Sequence, residues 1–120
     1  MDKVLSGRRI LVVEDEMLIA MMIEGMLDDL GCESVATAAT VNQAVALIEG
    51  QVFDAAMLDV NLKGTNSYPV ADVLAARGVP FFFSTGNGGH MAEGYGDRAV
   101  LRKPFQCGDL ATMFTGVLSH

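Results

Sequence analysis

A short apolar run that stops on a single carboxylate constrains this chain more than any other feature. In Phe53-Asp54-Ala55-Ala56-Met57-Leu58-Asp59-Val60-Asn61-Leu62-Lys63-Gly64, the apolar segment ends at Asp59 and a polar, glycine-bearing turn follows. Short apolar runs bounded by turn signals read as strands covered on both faces of a parallel sheet. Open parallel sheets bind ligands beyond the carboxyl ends of their strands. Asp59 is therefore placed where such folds do their chemistry, and its partners should sit at the ends of other strands.

The rest of the chain supplies those strands. Arg9-Ile10-Leu11-Val12-Val13 is a β-branched run that ends in Glu14-Asp15-Glu16. A helical period follows from Met17 to Leu30, with Ile19, Met22, Ile23, Met26 and Leu30 inward, Glu24 and Asp28 outward, and Gly31 as its stop. Met17 and Met21 fall on the outward side, where methionine can serve as adaptable partner-docking surface. Glu33 to Thr37 reads as a second strand, and Thr40 caps a helix over Val41 to Glu49 that points Ala44, Val45 and Ile48 inward. After the Asp59 strand, Pro69 opens a helix striped by Val70, Val73 and Leu74. Val79 to Thr85 is a fourth strand and Ala99 to Arg102 a fifth, leading into Lys103-Pro104-Phe105. A last helix spans Cys107 to Leu118, with Leu110, Met113, Phe114 and Val117 inward. Between the last two strands, Gly86 to Gly96 holds five glycines in eleven residues, so only a short turn around His90 to Glu93 is expected there. Five strands alternating with helices predict one doubly wound α/β domain over residues 1–120 with a five-stranded parallel sheet.

Composition narrows the function. A net charge of -7 with no basic stripe argues against nucleic acid. No apolar run reaches membrane-spanning length and no signal peptide opens the chain, which predicts a cytoplasmic protein. Cys32 and Cys107 are expected at opposite ends of the domain, forming neither a disulfide nor a zinc site. His90 and His120 are read as bystanders.

Right-handed crossovers bring all the strand ends to one edge of the sheet. Glu14, Asp15 and Asp59 would repel one another there, and a hard cation with oxygen ligands relieves that repulsion. Magnesium fits best, because it keeps several waters and works with one or two carboxylates plus phosphate. The Thr85 hydroxyl and the Lys103 ammonium then aim donors at further negative charge. Together these groups describe a cradle for a phosphoryl group, with Asp59 as the nucleophile.

Over essentially its whole length the chain resembles the receiver domains of two-component response regulators, which have a flavodoxin-like (βα)5 fold. The residues that carry the resemblance are Val12-Val13-Glu14-Asp15-Glu16, Leu58-Asp59-Val60-Asn61-Leu62, Thr85 and Lys103-Pro104-Phe105. It implies that Asp59 accepts a phosphoryl group from a histidine kinase or a histidine phosphotransfer protein. Glu14 (through water), Asp15, Asp59 and the Asn61 backbone carbonyl would hold magnesium. Lys103 would pair with the phosphoryl oxygens, Thr85 would move to hydrogen-bond them, and Lys103-Pro104 would be cis. A switch aromatic usual in receivers, three residues before the lysine, is replaced by Val100. The stretch from Pro80 to Gly88 resembles the atypical "FAT GUY" single-domain receivers, with Ser84 in place of Ala and Asn87 in place of an aromatic. In that reading the fourth helix is short or disordered, and Gly86 to Gly96 orders around the phosphoryl group to engage a downstream protein. The chain would then be a phosphoacceptor without an output domain rather than a turnover enzyme. Two other readings compete: a receiver that binds partners without phosphate, and a magnesium phosphatase that works through an aspartyl-phosphate. The phosphatases place a second Asp where this chain has Asn61.

Overall fold

The computed structural model describes residues 3–86 and 100–119. The expected turn at His90 to Glu93, Ala99, His120 and most of the glycine-rich segment lie outside the described residues. The described residues form, in chain order, β1 (Arg9–Val13), α1 (Met17–Asp29), β2 (Ser34–Ala38), α2 (Val41–Gly50), β3 (Ala55–Asp59), β4 (Asn61–Leu62), β5 (Thr65–Asn66), α3 (Tyr68–Ala76), β6 (Phe81–Thr85), β7 (Val100–Arg102) and α4 (Cys107–Leu118). Five strands form one sheet in the order β2-β1-β3-β6-β7, and every pair in it is parallel. The remaining two, β4 and β5, pair antiparallel as a small hairpin. This is the doubly wound domain with a five-stranded parallel sheet that the alternation of strands and helices predicts.

Alternation along each central strand explains why the runs are apolar throughout. Ile10, Val12, Ala55, Met57 and Phe82 face a layer built with Ile23, Leu27, Leu110 and Phe114. Leu11, Val13, Ala56, Leu58, Phe81 and Phe83 face the other layer, with Ala44, Ile48, Val70 and Leu74. Both faces are covered by helices, so neither parity of residue meets water. The three phenylalanines of β6 are the bulkiest contribution, each worth about 1.5–3 kcal/mol of burial. Phe82 meets Phe114 edge-on at 4.7 Å, while Phe83 meets Tyr68 at 5.7 Å and Phe81 at 5.6 Å.

The ends of the helices follow local chemistry. Thr40 Oγ1 accepts the Gln43 N–H at 3.1 Å, and Gln43 Oε1 accepts the Ala39 N–H at 2.9 Å, which closes the start of α2 reciprocally. Gln106 and Asp109 form a full capping box on α4. Gly31 ends α1 at φ +92°, and a Cβ there would sit 2.9 Å from Lys3 Cβ, so glycine is required for both backbone and space.

Three expectations shift. The buried stripe of α1 is Ala20, Ile23, Leu27 and Leu30, whereas Met22 is 48% exposed and Ile19 and Met26 are half-buried. Both stripes have a helical period; docking against the sheet selects the one rotated toward Leu27. The second strand starts one residue later than predicted, at Ser34, and the fourth starts at Phe81. Pro80 precedes that strand and its carbonyl accepts the Ala56 N–H at 3.0 Å. The β4–β5 hairpin was not anticipated. Its two-residue loop, Lys63-Gly64, has φ values of +53° and +87°, the two consecutive positive values that a type I′ hairpin loop requires.

Candidate functional site

The switch point of the sheet lies between β1 and β3, because the chain builds outward from β1 on one side to β2 and on the other to β3. Ligands of open α/β sheets bind in the crevice beyond the strand ends at such a point. The register delivers the residues there. Val13 pairs with Leu58, which sets Glu14 level with Asp59; Asp59 pairs with Ser84 and Thr85 with Arg102. Lys103 follows at once, its N–H donating to the Thr85 carbonyl at 2.9 Å. The Lys103–Pro104 peptide is cis.

Here the side chains meet. Lys103 Nζ donates to Glu14 Oε1 at 2.7 Å and to Asp59 Oδ2 at 3.0 Å. The other oxygens of both carboxylates accept backbone N–H groups: Glu14 Oε2 from Glu16 at 3.1 Å, and Asp59 Oδ1 from Asn61 at 3.2 Å. Glu14, Asp59 and Thr85 are buried and Asp15 is half-buried. One carboxylate oxygen from each of Glu14, Asp15 and Asp59 lies within 4.8 Å of the others. Beside them opens a cleft of about 250 Å³ lined by Asp15, Asp59, Asn61, Lys63, Thr85 and Lys103, among others.

Burial pushes the Glu14 carboxyl up to about 7; the Lys103 and Glu16 bonds pull against it, while the Asp59 charge adds to it. Burial by itself would lower the pKa of Lys103, but its bonds to Glu14 and Asp59 outweigh that and hold it above the ordinary value. Lys103 is therefore a fixed cation, and it cannot neutralise three carboxylates alone. An all-oxygen donor set with residual negative charge fits a hard divalent cation such as magnesium.

Every side chain singled out in the sequence (Glu14, Asp15, Asp59, Thr85 and Lys103) reaches this one edge, and Asn61 lines the cleft. Sequence reasoning missed Lys63, which also lines it. The signal was weak, since Gly64 suits a turn but Lys63 is not one of the Asn, Asp or Gly residues that mark a two-residue hairpin loop. The two cysteines are free thiols, and Cys107 Sγ lies 3.6 Å from the Met26 carbonyl.

Sheet order and acidic strand-end cluster together define a receiver module, and the comparisons agree. The chain belongs to the response regulator receiver domain family, which matches residues 10–115. Receiver domains of this family are signalling modules of two-component systems. Among solved structures the chain is similar to SdrG from Sphingomonas melonis Fr1, at 45% identity and a TM-score of 0.82, covering 96% of this chain and 98% of that one. The BeF3-activated conformation of SdrG gives a TM-score of 0.80 at 44% identity, covering 94% and 98%. The receiver domain of sensor histidine kinase PA1611 from Pseudomonas aeruginosa PAO1 matches at 28% identity and a TM-score of 0.78, covering 96% of this chain and all of that one; it has a magnesium ion coordinated in its active site cleft. Transcriptional regulatory protein PdtaR of Mycobacterium tuberculosis is 33% identical over 108 residues, covering 86% of this chain. The chain spans about half the length of PdtaR, and less of the other curated relatives it matches. No described helix is long and apolar enough to cross a membrane.

Proposed function

We propose that this chain is a phosphoacceptor in which Asp59 receives a phosphoryl group from a phosphohistidine on a histidine kinase or phosphotransfer protein. The observation that carries the reading is the state of Asp59. It is a buried carboxylate at a strand end, with one oxygen 3.0 Å from Lys103 Nζ and the Glu14 and Asp15 carboxylates beside it. In the transfer an Asp59 oxygen forms the new O–P bond as the donor's P–N bond breaks. The imidazole nitrogen keeps that electron pair and later takes a proton from water.

Glu14, Asp15, Asp59 and the Asn61 carbonyl are the residues we assign to magnesium. When bound, the ion offsets the charge of the phosphoryl oxygens and of the carboxylates around them. Lys103 holds the acceptor in place and then serves the phosphoryl oxygens through the same ammonium. Thr85 lines the cleft and supplies a hydroxyl to the same group. Through Thr85 and Gly86 the event is passed to the glycine-rich segment, whose ordering we propose as the signal to a downstream protein. The segment's glycine content supports this, as does the likeness of the stretch from Pro80 to Gly88 to the FAT GUY receivers.

The test uses NMR titration with magnesium and then beryllofluoride, in the native protein and in Asp59→Asn. The native chain should show saturable shifts around Asp15 and Asp59 with each addition. The variant should keep the fold and lose the beryllofluoride response and phosphoryl uptake from a phosphohistidine donor. Uptake at unchanged stoichiometry in Asp59→Asn would refute the acceptor assignment.

A further inference from the structure

We infer that Lys63, carried on the β4–β5 hairpin, is a second cation for the phosphoryl group on Asp59. The inference rests on the phosphoacceptor reading above and adds to it a residue with no assigned role. Three independent observations point to it.

The first is placement. Lys63 lines the same cleft as Asp59, Thr85 and Lys103. The hairpin that carries it is tied to the acceptor itself. Asp59 Oδ1 accepts the Asn61 N–H at 3.2 Å, and Asn61 Oδ1 in turn accepts the Gly64 N–H at 2.8 Å. At the far end the Ser67 N–H donates to the Val60 carbonyl at 3.0 Å. A loop held at both ends presents its side chain from a defined position.

The second is charge. Glu14, Asp15, Glu16 and Asp59 crowd this edge, and the Lys103 ammonium is already shared between two of them. Phosphorylation exchanges the single charge of Asp59 for a dianionic group, so the cleft becomes more negative. Among the described residues Lys63 makes no ion pair; it borders this cleft and a neighbouring one lined by Thr40 and Leu62, and a lysine's flexible four-carbon stem lets the ammonium turn to the more negative of the two.

The third is backbone cost. Lys63 is the one non-glycine residue with positive φ among the described residues, at +53°. Left-handed backbone is unfavourable for an ordinary side chain, and Asn before Gly is the pair this loop prefers. A lysine kept where asparagine would fold better marks a position where local preference yields to the site.

That conflict supplies the test. Lys63→Asn suits the turn and removes the charge, while Lys63→Arg keeps the charge. Beryllofluoride affinity is measured by NMR titration in saturating magnesium, at two salt concentrations. Lys63→Asn should bind roughly fivefold more weakly or worse, with a shallower salt dependence, and Lys63→Arg should stay within about twofold of the native chain. Arg8→Gln, at the opposite edge of the sheet, controls for net charge and should also stay within about twofold. Native affinity and salt dependence in Lys63→Asn would overturn the inference and leave Lys63 a turn residue. Failure of the native chain itself to bind beryllofluoride would instead overturn the phosphoacceptor reading.

Discussion

Glu14 carries the sharpest conflict of any single residue. It is 3% exposed, hydrogen-bonded to a lysine, and pushed up to about 7 by burial from 4.5 for the free side chain. Between those two values the folded state holds more protons at this group than the unfolded state, so stability falls as pH rises through the window, by up to ~3 kcal/mol. Lys103 does not enter this window: its raised pKa contributes stability below 10.5 that is lost only above it. Denaturant unfolding of metal-free protein at pH 4.5 to 8 should show the native chain losing stability relative to Glu14→Gln as pH rises. A flat difference would refute the burial argument. Added magnesium should stabilise the native chain more at pH 8 than at pH 5, because a cation binds the ionised carboxylates. None of this could be read from Glu14-Asp15-Glu16 as a string of letters, because a pKa depends on what the fold buries around the group.

The first helix shows how an element can be legible in sequence while its orientation is not. The sequence period pointed Ile19, Met22, Ile23, Met26 and Leu30 inward; Ile23 and Leu30 are buried as expected, but the helix is rotated so that Ala20 and Leu27 join them in place of Met22 and Met26. Leu27 is fully buried and Met22 is 48% exposed. Leu27→Ala should therefore cost about 2–5 kcal/mol in chemical denaturation. Met22→Ala should cost under about 1 kcal/mol, and equal losses would contradict the observed rotation. The outward face also carries Met17, Leu18 and Met21, each at least 60% exposed. Hairpin β4–β5 is the converse case, since Lys63-Gly64 lacks the Asn or Asp that usually announces such a loop and its paired strands are only two residues long.

At the scale of the molecule, strand order puts β1 and β3 side by side at the switch point, and the site lies at their carboxyl ends. If phosphoryl binding at Asp59 orders the glycine-rich segment, amide exchange across residues 87–96 should slow when magnesium and beryllofluoride are added. Identical exchange with and without them would discard that signal while leaving the acceptor intact. Sequence alone determined the five strands of the parallel sheet, the helices between them and which residues end those strands. Apolar runs, caps, and the Asp59 and Lys103 strand ends are local patterns, governed by side-chain period and backbone preference. Tertiary structure decided which strands are neighbours, how far each is shifted, and which face of α1 is buried. It also decided that Glu14 sits level with Asp59 and that Lys63 borders the cleft. Those outcomes depend on residues far apart in the chain competing for the same buried space, which a local pattern does not encode.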